Sequence, residues 1–191
     1  MPWTVAGGFS GNTQGAHLAL QALGVGAGDT LLIHGAAGGL GTSAIQIALA
    51  WGAKKVIGTA SEANHDYIRG LGAIPVRYGE GLIDRVREAA PEGVDAALDA
   101  AGPEALRASL ALVRDRNRIR TMVSSALAEE LGIPPLQGTR TAERLAELVK
   151  LHTQGKLDIH LRRVLPLREA AEAHRELEHG HGRGKLVLAV H

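Results

Sequence analysis

Two kinds of apolar pattern alternate along the chain. Short, unbroken aliphatic runs are followed by longer stretches in which apolar residues return every three or four positions, the marks of strands buried on both faces and of amphipathic helices. The runs cover residues 30–34, 55–59, 74–78, 94–98, 119–123 and 186–190. The three-to-four spacing predicts helices from the turn 35–41 to about residue 51, then over 63–71, 82–90, 104–113, 141–153 and 168–178. A first helix over 13–23 follows a glycine-rich start, Gly72 sits where the third helix should stop, and Val164-Leu165 reads as a short extended piece. Strand followed by helix, repeated in order, is the arrangement of parallel strands joined by right-handed crossovers. The expected architecture is therefore α/β, a doubly wound parallel sheet of about six strands in the order 3-2-1-4-5-6, with a ligand crevice where strands one and four diverge. The irregular segment 124–140, carrying Gly132, Pro134-Pro135 and Gly138, reads as a loop at a strand's carboxyl end, lining that crevice.

Composition narrows the classes. The chain has 191 residues, 45% hydrophobic and 21% charged, which is enough to wrap one core and excludes a disordered polymer. Aromatics are scarce (Trp 2, Tyr 2, Phe 1) and Gly reaches 25, so the core must be aliphatic and closely packed. A formal net charge of +1 gives no ground for nucleic acid or a membrane surface as partner. The basic run Arg114-Asp115-Arg116-Asn117-Arg118-Ile119-Arg120 reads as a solvated segment leading into a strand. Residues 31–53 carry no formal charge, but five glycines with Thr42, Ser43 and Gln46 make a strand, turn and helix the better account than a membrane span. Cys 0 excludes disulfides, thiolate zinc sites and a thiol nucleophile, and fits a reducing compartment. The start Met1-Pro2-Trp3-Thr4-Val5 lacks the pattern of a signal peptide, so a cytoplasmic location is expected.

The most informative stretch is Leu31-Leu32-Ile33-His34-Gly35-Ala36-Ala37-Gly38-Gly39-Leu40-Gly41, where a strand hands over to a helix. The first-turn amides of a helix have no partners within it and carry a partial positive charge, so a pyrophosphate docks there if no side chain intervenes. Ala36 to Gly41 matches the second and third glycines of Gly-x-Gly-x-x-Gly and puts alanine in place of the first. Gly38 and Gly39 would clear room for phosphate, and Gly41 would let helix and strand approach. A dinucleotide site is the expectation.

These residues also carry a family resemblance. His34 to Gly41, preceded by Gly28-Asp29-Thr30-Leu31-Leu32-Ile33, resembles the cofactor domain of the medium-chain dehydrogenase/reductase superfamily in its zinc-free quinone oxidoreductase branch, and so do Val56 to Ser61 with Asn64, Leu71-Gly72-Ala73, Asp99 to Gly102, and Gly184 to Leu188. The resemblance spans about residues 13–190 and implies a Rossmann fold binding a nicotinamide dinucleotide through Ala37, Gly38, Gly39, Leu40 and Gly41. It further implies that Ala60, Ser61, Asn64 and Tyr78 surround the adenosine end, and that Ala100, Ala101, Gly102 and Val123 meet the nicotinamide and its ribose. Ala60 takes the place of the acid found in NAD-dependent relatives, so NADP(H) is favoured over NAD(H), with Glu62 as a rival acid if its loop turns inward. Arg69, partway along a helix, is the nearest basic residue in sequence and makes an unconvincing phosphate partner. The family carries a GroES-like, N-terminal catalytic domain ahead of this segment, and the resemblance implies that residues 1–191 are the cofactor domain alone. Such a domain would be inactive by itself, and would serve hydride transfer to a small carbonyl, enone or quinone. A homodimer through a sheet edge is a further implication of the family.

Other chemistries find less support. A Tyr-x-x-x-Lys pair fails because Tyr67 and Tyr78 are followed at that spacing by Leu71 and Leu82, and no Gly-x-Ser-x-Gly elbow surrounds any serine. The alternating pair His179-Gly180-His181 lacks further ligands for a metal, and His34 reads as a strand-end residue rather than a base. Two rivals remain. One is a non-catalytic dinucleotide-binding or sensing module acting through a protein partner; the other is a single-domain enzyme with segment 124–140 as its lid.

Overall fold

A computed structural model describes residues 1–180 and 182–190. Five parallel strands form the main sheet: β1 (Thr30–His34), β2 (Lys55–Ala60), β3 (Ile74–Arg77), β4 (Ala96–Asp99) and β5 (Ile119–Thr121). Their order is β3-β2-β1-β4-β5, with His34 opposite both Thr59 and Asp99. The doubly wound arrangement is thus as expected, but the order stops at five. The sixth run, β7 (Lys185–Ala189), pairs instead with β6 (Leu161–Pro166) in a separate two-stranded parallel sheet. The order 3-2-1-4-5-6 is corrected accordingly. The deciding contact is long-range: Leu165 and the strand around it offer β7 a partner that the run Val164-Leu165 only hinted at.

The aliphatic runs are continuous because both faces of the sheet are covered. On one face Leu31, Ile33, Val56, Ala96 and Leu98 pack with α1 (Trp3–Leu23), α2 (Gly39–Ala50), α3 (His65–Gly70) and α7 (Ala142–Thr153). On the other, Leu32, Ile57 and Ala97 pack with α4 (Leu82–Ala89), α5 (Pro103–Leu112) and α6 (Ser125–Glu130). The strand period of two therefore survives as an alternation between two cores. α8 (Ala170–Glu178) packs on β6.

Helix α1 begins ten positions earlier than the spacing predicts. Its Gly7 and Gly8 lower helix propensity, but they face the small sheet, where a Cβ on Gly8 would lie 3.0 Å from Ile159 Cδ1 and 3.2 Å from Val187 Cγ2. Close packing against β6 and β7 outweighs the propensity loss. The segment 124–140 is corrected as well. Its first half forms α6; its second half packs along α1, with Gly138 against Leu18 and the Thr141 N–H donating to Gln14 Oε1 at 3.1 Å.

The first half of the basic run, residues 114–117, is exposed as expected, whereas its end at 118–120 turns inward as β5 begins. The Arg118 guanidinium meets Asp29 at 2.8 Å, Arg116 donates to Leu131 O, and the largely buried Arg120 donates to Ile119 O, Asn117 O and Ala22 O. These arginines tie the start of β5 to neighbouring loops. Among the described residues no helix is long and apolar enough to cross a membrane.

Candidate functional site

The carboxyl ends of β1, β2 and β4 open into a cleft of about 1180 Å³. Its floor is the turn between β1 and α2. Gly35 has φ +72°, and a Cβ there would lie 2.8 Å from Ala100 O, so this position requires glycine on both conformational and steric grounds. Gly38 caps α2, and the first helical hydrogen bond runs from Thr42 N–H to Gly38 O at 2.9 Å. The amides of Gly39, Leu40 and Gly41 precede it and form the electropositive end of a helix with no acidic residue in its first turn.

Each expected site residue has a definite place. Ala37 and Gly38 line the floor; Ala60, Ser61 and Asn64 line the wall at the end of β2, with Tyr78 beyond them; Ala100, Ala101 and Gly102 form the opposite wall. Gly39, Leu40, Gly41 and Val123 are not on the cleft's lining. A Cβ on Gly41 would sit 2.5 Å from Gly35 O and 2.6 Å from Ala36 Cα, so Gly41 lets the helix press onto the turn. The space beside Gly39 is filled by the Asn12 amide and the Lys185 stem, a steric role rather than the clearing of a phosphate site. Val123 is 59% exposed, its N–H turned to Thr121 Oγ1 at 3.1 Å. Strand β5 ends at Thr121, and that early ending carries Val123 off the cleft.

The wall at 100–102 is held by a buried carboxylate. Asp99 Oδ1 accepts from Ala101 N–H (2.8 Å) and Gly102 N–H (2.9 Å), while Oδ2 accepts from the Thr121 hydroxyl at 2.7 Å. Thr121 Oγ1 in turn accepts from Ser124 N–H at 2.9 Å. One side chain thus fixes the loops after both β4 and β5. His34, fully buried on β1, shares a hydrogen bond of 3.2 Å between Nδ1 and Thr59 Oγ1, and lines the cleft. Burial pushes its pKa down to about 4 despite the nearby Asp99, so the imidazole is neutral at pH 7. Its Nε2 is buried with no partner among the described residues.

At the end of β2 the charges are arranged in a way the sequence does not show. Glu62 points to Arg77, at 3.8 Å, and is off the cleft's lining. Arg69 pairs with Asp66 at 2.6 Å on an exposed helix face. Two basic groups stand beside this wall: Arg77, in register with Ala60 and turned to Glu62, and Arg183, from the segment before β7. Arg183 Nε and Nη2 donate to Asn64 Oδ1, both at 3.1 Å, and Asn64 Nδ2 donates to Ser61 Oγ at 3.1 Å. Nearly 120 residues separate Arg183 from Asn64, and the pairing of Gly184 with Gly38 brings that segment here. The motif Gly184-Lys185-Leu186 marked the neighbourhood without marking the arginine.

Among the described residues no group of three or more His, Asp or Glu side chains is placed to hold a metal ion, and Cys is absent from the chain. His179 Nδ1 donates to Arg175 O at 2.6 Å; His181, the other half of the candidate pair, lies outside the described residues.

With this geometry in view, the chain was compared with known proteins. Residues 71–188 match the family described as zinc-binding dehydrogenase. The chain is 35% identical over 193 residues to the spectinabilin polyketide synthase system protein NorB of Streptomyces orinoci, covering 91% of this chain and 9% of that protein. It superposes on the quinone oxidoreductase of Coxiella burnetii with a TM-score of 0.80 at 34% identity, covering 96% of this chain and 59% of the other. With mycobacterial Rv1454c in complex with NADPH the TM-score is 0.85 at 26% identity, covering 100% and 65%. The chain thus spans less than two thirds of each relative. Fold, glycine turn and family match agree, and the chain belongs to the zinc-binding dehydrogenase family of the medium-chain dehydrogenase/reductase superfamily, with the Rossmann fold of its nucleotide-binding domains.

Proposed function

We propose that the chain is the cofactor domain of a zinc-independent, quinone oxidoreductase-like reductase that binds NADP(H) in preference to NAD(H). The observation that carries this reading is the uncharged wall at the end of β2. Ala60, Ser61 and Asn64 line the cleft where an acid would repel a 2′-phosphate, and Glu62 is turned to Arg77. The cleft fits a dinucleotide on its own features: a floor of Gly35, Ala37 and Gly38 with no bulky side chain, and a helix N-terminus free of acid.

In this reading Ala37 and Gly38, on the cleft's lining at the positive end of α2, take the pyrophosphate, and Ser61, Asn64 and Tyr78 border the adenosine ribose. Ala100 to Gly102, braced by Asp99, set the wall against the nicotinamide end. When bound, the nicotinamide supplies a hydride to a small carbonyl, enone or quinone. The protein's residues orient the dinucleotide and exclude water, and none in the chain is assigned as a catalytic acid. Because the relatives are longer, the substrate pocket belongs to the cleft between this domain and a GroES-like partner domain, and the present chain alone is expected to bind without turning over. A cytoplasmic location and a homodimer formed through a sheet edge belong to the same reading. They rest on the cysteine-free sequence and on family resemblance.

Parallel calorimetric titration of the purified chain with NADPH and NADH tests it. Tighter binding of NADPH is expected, and a preference for NADH would overturn the cofactor assignment. Supplying a catalytic domain from a related reductase should restore quinone reduction. If cofactor binding instead changes association with a partner protein and never restores turnover, the sensing-module alternative is the correct one.

A further inference from the structure

We infer that Arg183 is the residue that discriminates NADP(H) from NAD(H), by offering its guanidinium to the adenosine 2′-phosphate. The inference rests on the dinucleotide reading above and extends it to a side chain outside every motif of the cofactor turn.

Arg69, Arg77, Arg87, Arg118, Arg162 and Arg163 each face a carboxylate. Arg183 faces none among the described residues. It shares the lack of a carboxylate partner with Arg85, Arg116, Arg120 and Arg144, but it differs from them in being held by Asn64, a residue of the cleft's lining. Its Nε and Nη2 donate to the amide oxygen of Asn64, Nη2 reaches Ala63 O at 3.4 Å, and its guanidinium carbon lies 4.6 Å from the centre of the Tyr67 ring. The partners are neutral acceptors and an aromatic face, which hold the guanidinium plane without cancelling its charge. Tyr67 is itself fixed by a 3.0 Å hydrogen bond between its hydroxyl and Thr42 Oγ1, on the first turns of α2. The uncancelled charge reaches its neighbours. The His160 pKa is lowered by burial and then by Arg183 and Arg162, against a smaller opposing pull from Asp158.

Asn64 and Ser61 are both on the cleft's lining, and Arg183 touches the first of them. An anion arriving beside Ser61 therefore meets a guanidinium already oriented, whose present partners are weaker acceptors than a phosphate. The adenosine 2′-phosphate is the one anionic group that NADPH has and NADH lacks. The α2 N-terminus, by contrast, treats the two alike, since the pyrophosphate is common to both.

The experiment uses the whole chain, wild type, Arg183→Gln and Arg183→Lys, titrated calorimetrically with NADPH and NADH from pH 5 to 8. The expected result is a loss of NADPH affinity on the order of 10- to 100-fold in Arg183→Gln with NADH affinity within about twofold of wild type, and partial recovery in Arg183→Lys. The second ionisation of a phosphate monoester falls near pH 6. The wild-type preference for NADPH should therefore shrink below about pH 6, and Arg183→Gln should lose that slope. Melting temperature and far-UV circular dichroism check that each variant folds. If wild type prefers NADPH and Arg183→Gln keeps both preference and slope, this inference is overturned while the cofactor reading stands. If wild type binds both cofactors equally, or neither, both are overturned.

Discussion

The turn between β1 and α2 and the seam between α1 and α7 lie on the same side of the sheet and are held by opposite means. At the turn, backbone meets backbone: positions 35 and 41 have no side chains, and the space a Cβ would need is occupied by carbonyl oxygen and Cα atoms. At the seam, long polar side chains interlock. Arg144 Nε donates to His17 Nδ1 (3.1 Å), which leaves Nε2 to donate to Glu147 Oε2 (3.0 Å). Trp51 stands edge-on to the His17 ring with centroids 4.9 Å apart, and its indole N–H reaches Glu147 Oε1 at 3.3 Å. Arg144 also holds Thr139 O and Gln21 Oε1, anchoring the loop before α7. The turn keeps a ligand's place open, with the His34 Nε2 still unpaired beside it, whereas the seam satisfies its own donors and acceptors. A binding surface must leave partners for its ligand; a packing surface must not.

The sharpest way to break this comparison is Gly41→Val. The added atoms would press on backbone that cannot rotate away, so a loss of about 3 kcal/mol or more is expected, along with loss of NADPH binding, measured by denaturant unfolding and calorimetry. A loss below about 1 kcal/mol would mean that α2 can slide, and that the turn is not sterically fixed.

Acid should act almost as strongly, and chiefly at the turn. The folded His34 pKa, about 4, lies below its ordinary 6.5, so between those values the unfolded chain binds a proton that the folded chain refuses. Stability should be complete above about pH 6.5 and fall by about 3 kcal/mol as pH drops to 4. Urea titrations across that range, repeated on His34→Asn, check it. If the variant shows the same decline, the titrating group lies elsewhere.

Asp99→Asn comes next. An amide cannot accept from Ala101, Gly102 and Thr121 together, so about 2 kcal/mol should be lost, with weaker NADPH binding because the wall at 100–102 loosens. Retained affinity would show that this wall does not shape the cofactor site. The smallest effect belongs to the seam. Arg144→Met should cost about 1 kcal/mol and leave NADPH affinity within about twofold, and a large affinity change would erase the distinction between the two regions.

Much of this was readable from residues alone, and the reasons are local. The run Leu31-Leu32-Ile33-His34 followed by Gly35 to Gly41 admits few alternatives to strand, turn and helix, and the parallel order of the first five strands follows from the crossovers between them. The neutral end of β2 was equally plain, because Ala60 and Ser61 are what the chain carries there. Tertiary structure alone decided three further matters. It removed the last strand from the main sheet, since β6 gave it a parallel partner. It extended α1 back through Gly11, Gly8 and Gly7, since the bare faces of Gly7 and Gly8 let the small sheet approach. It brought Arg183 to Asn64 across the length of the chain. Local pattern sets where a chain runs straight, turns or coils, because those preferences act over a few residues. Which distant side chains then meet is set by packing, and there the charge beside the end of β2 was decided.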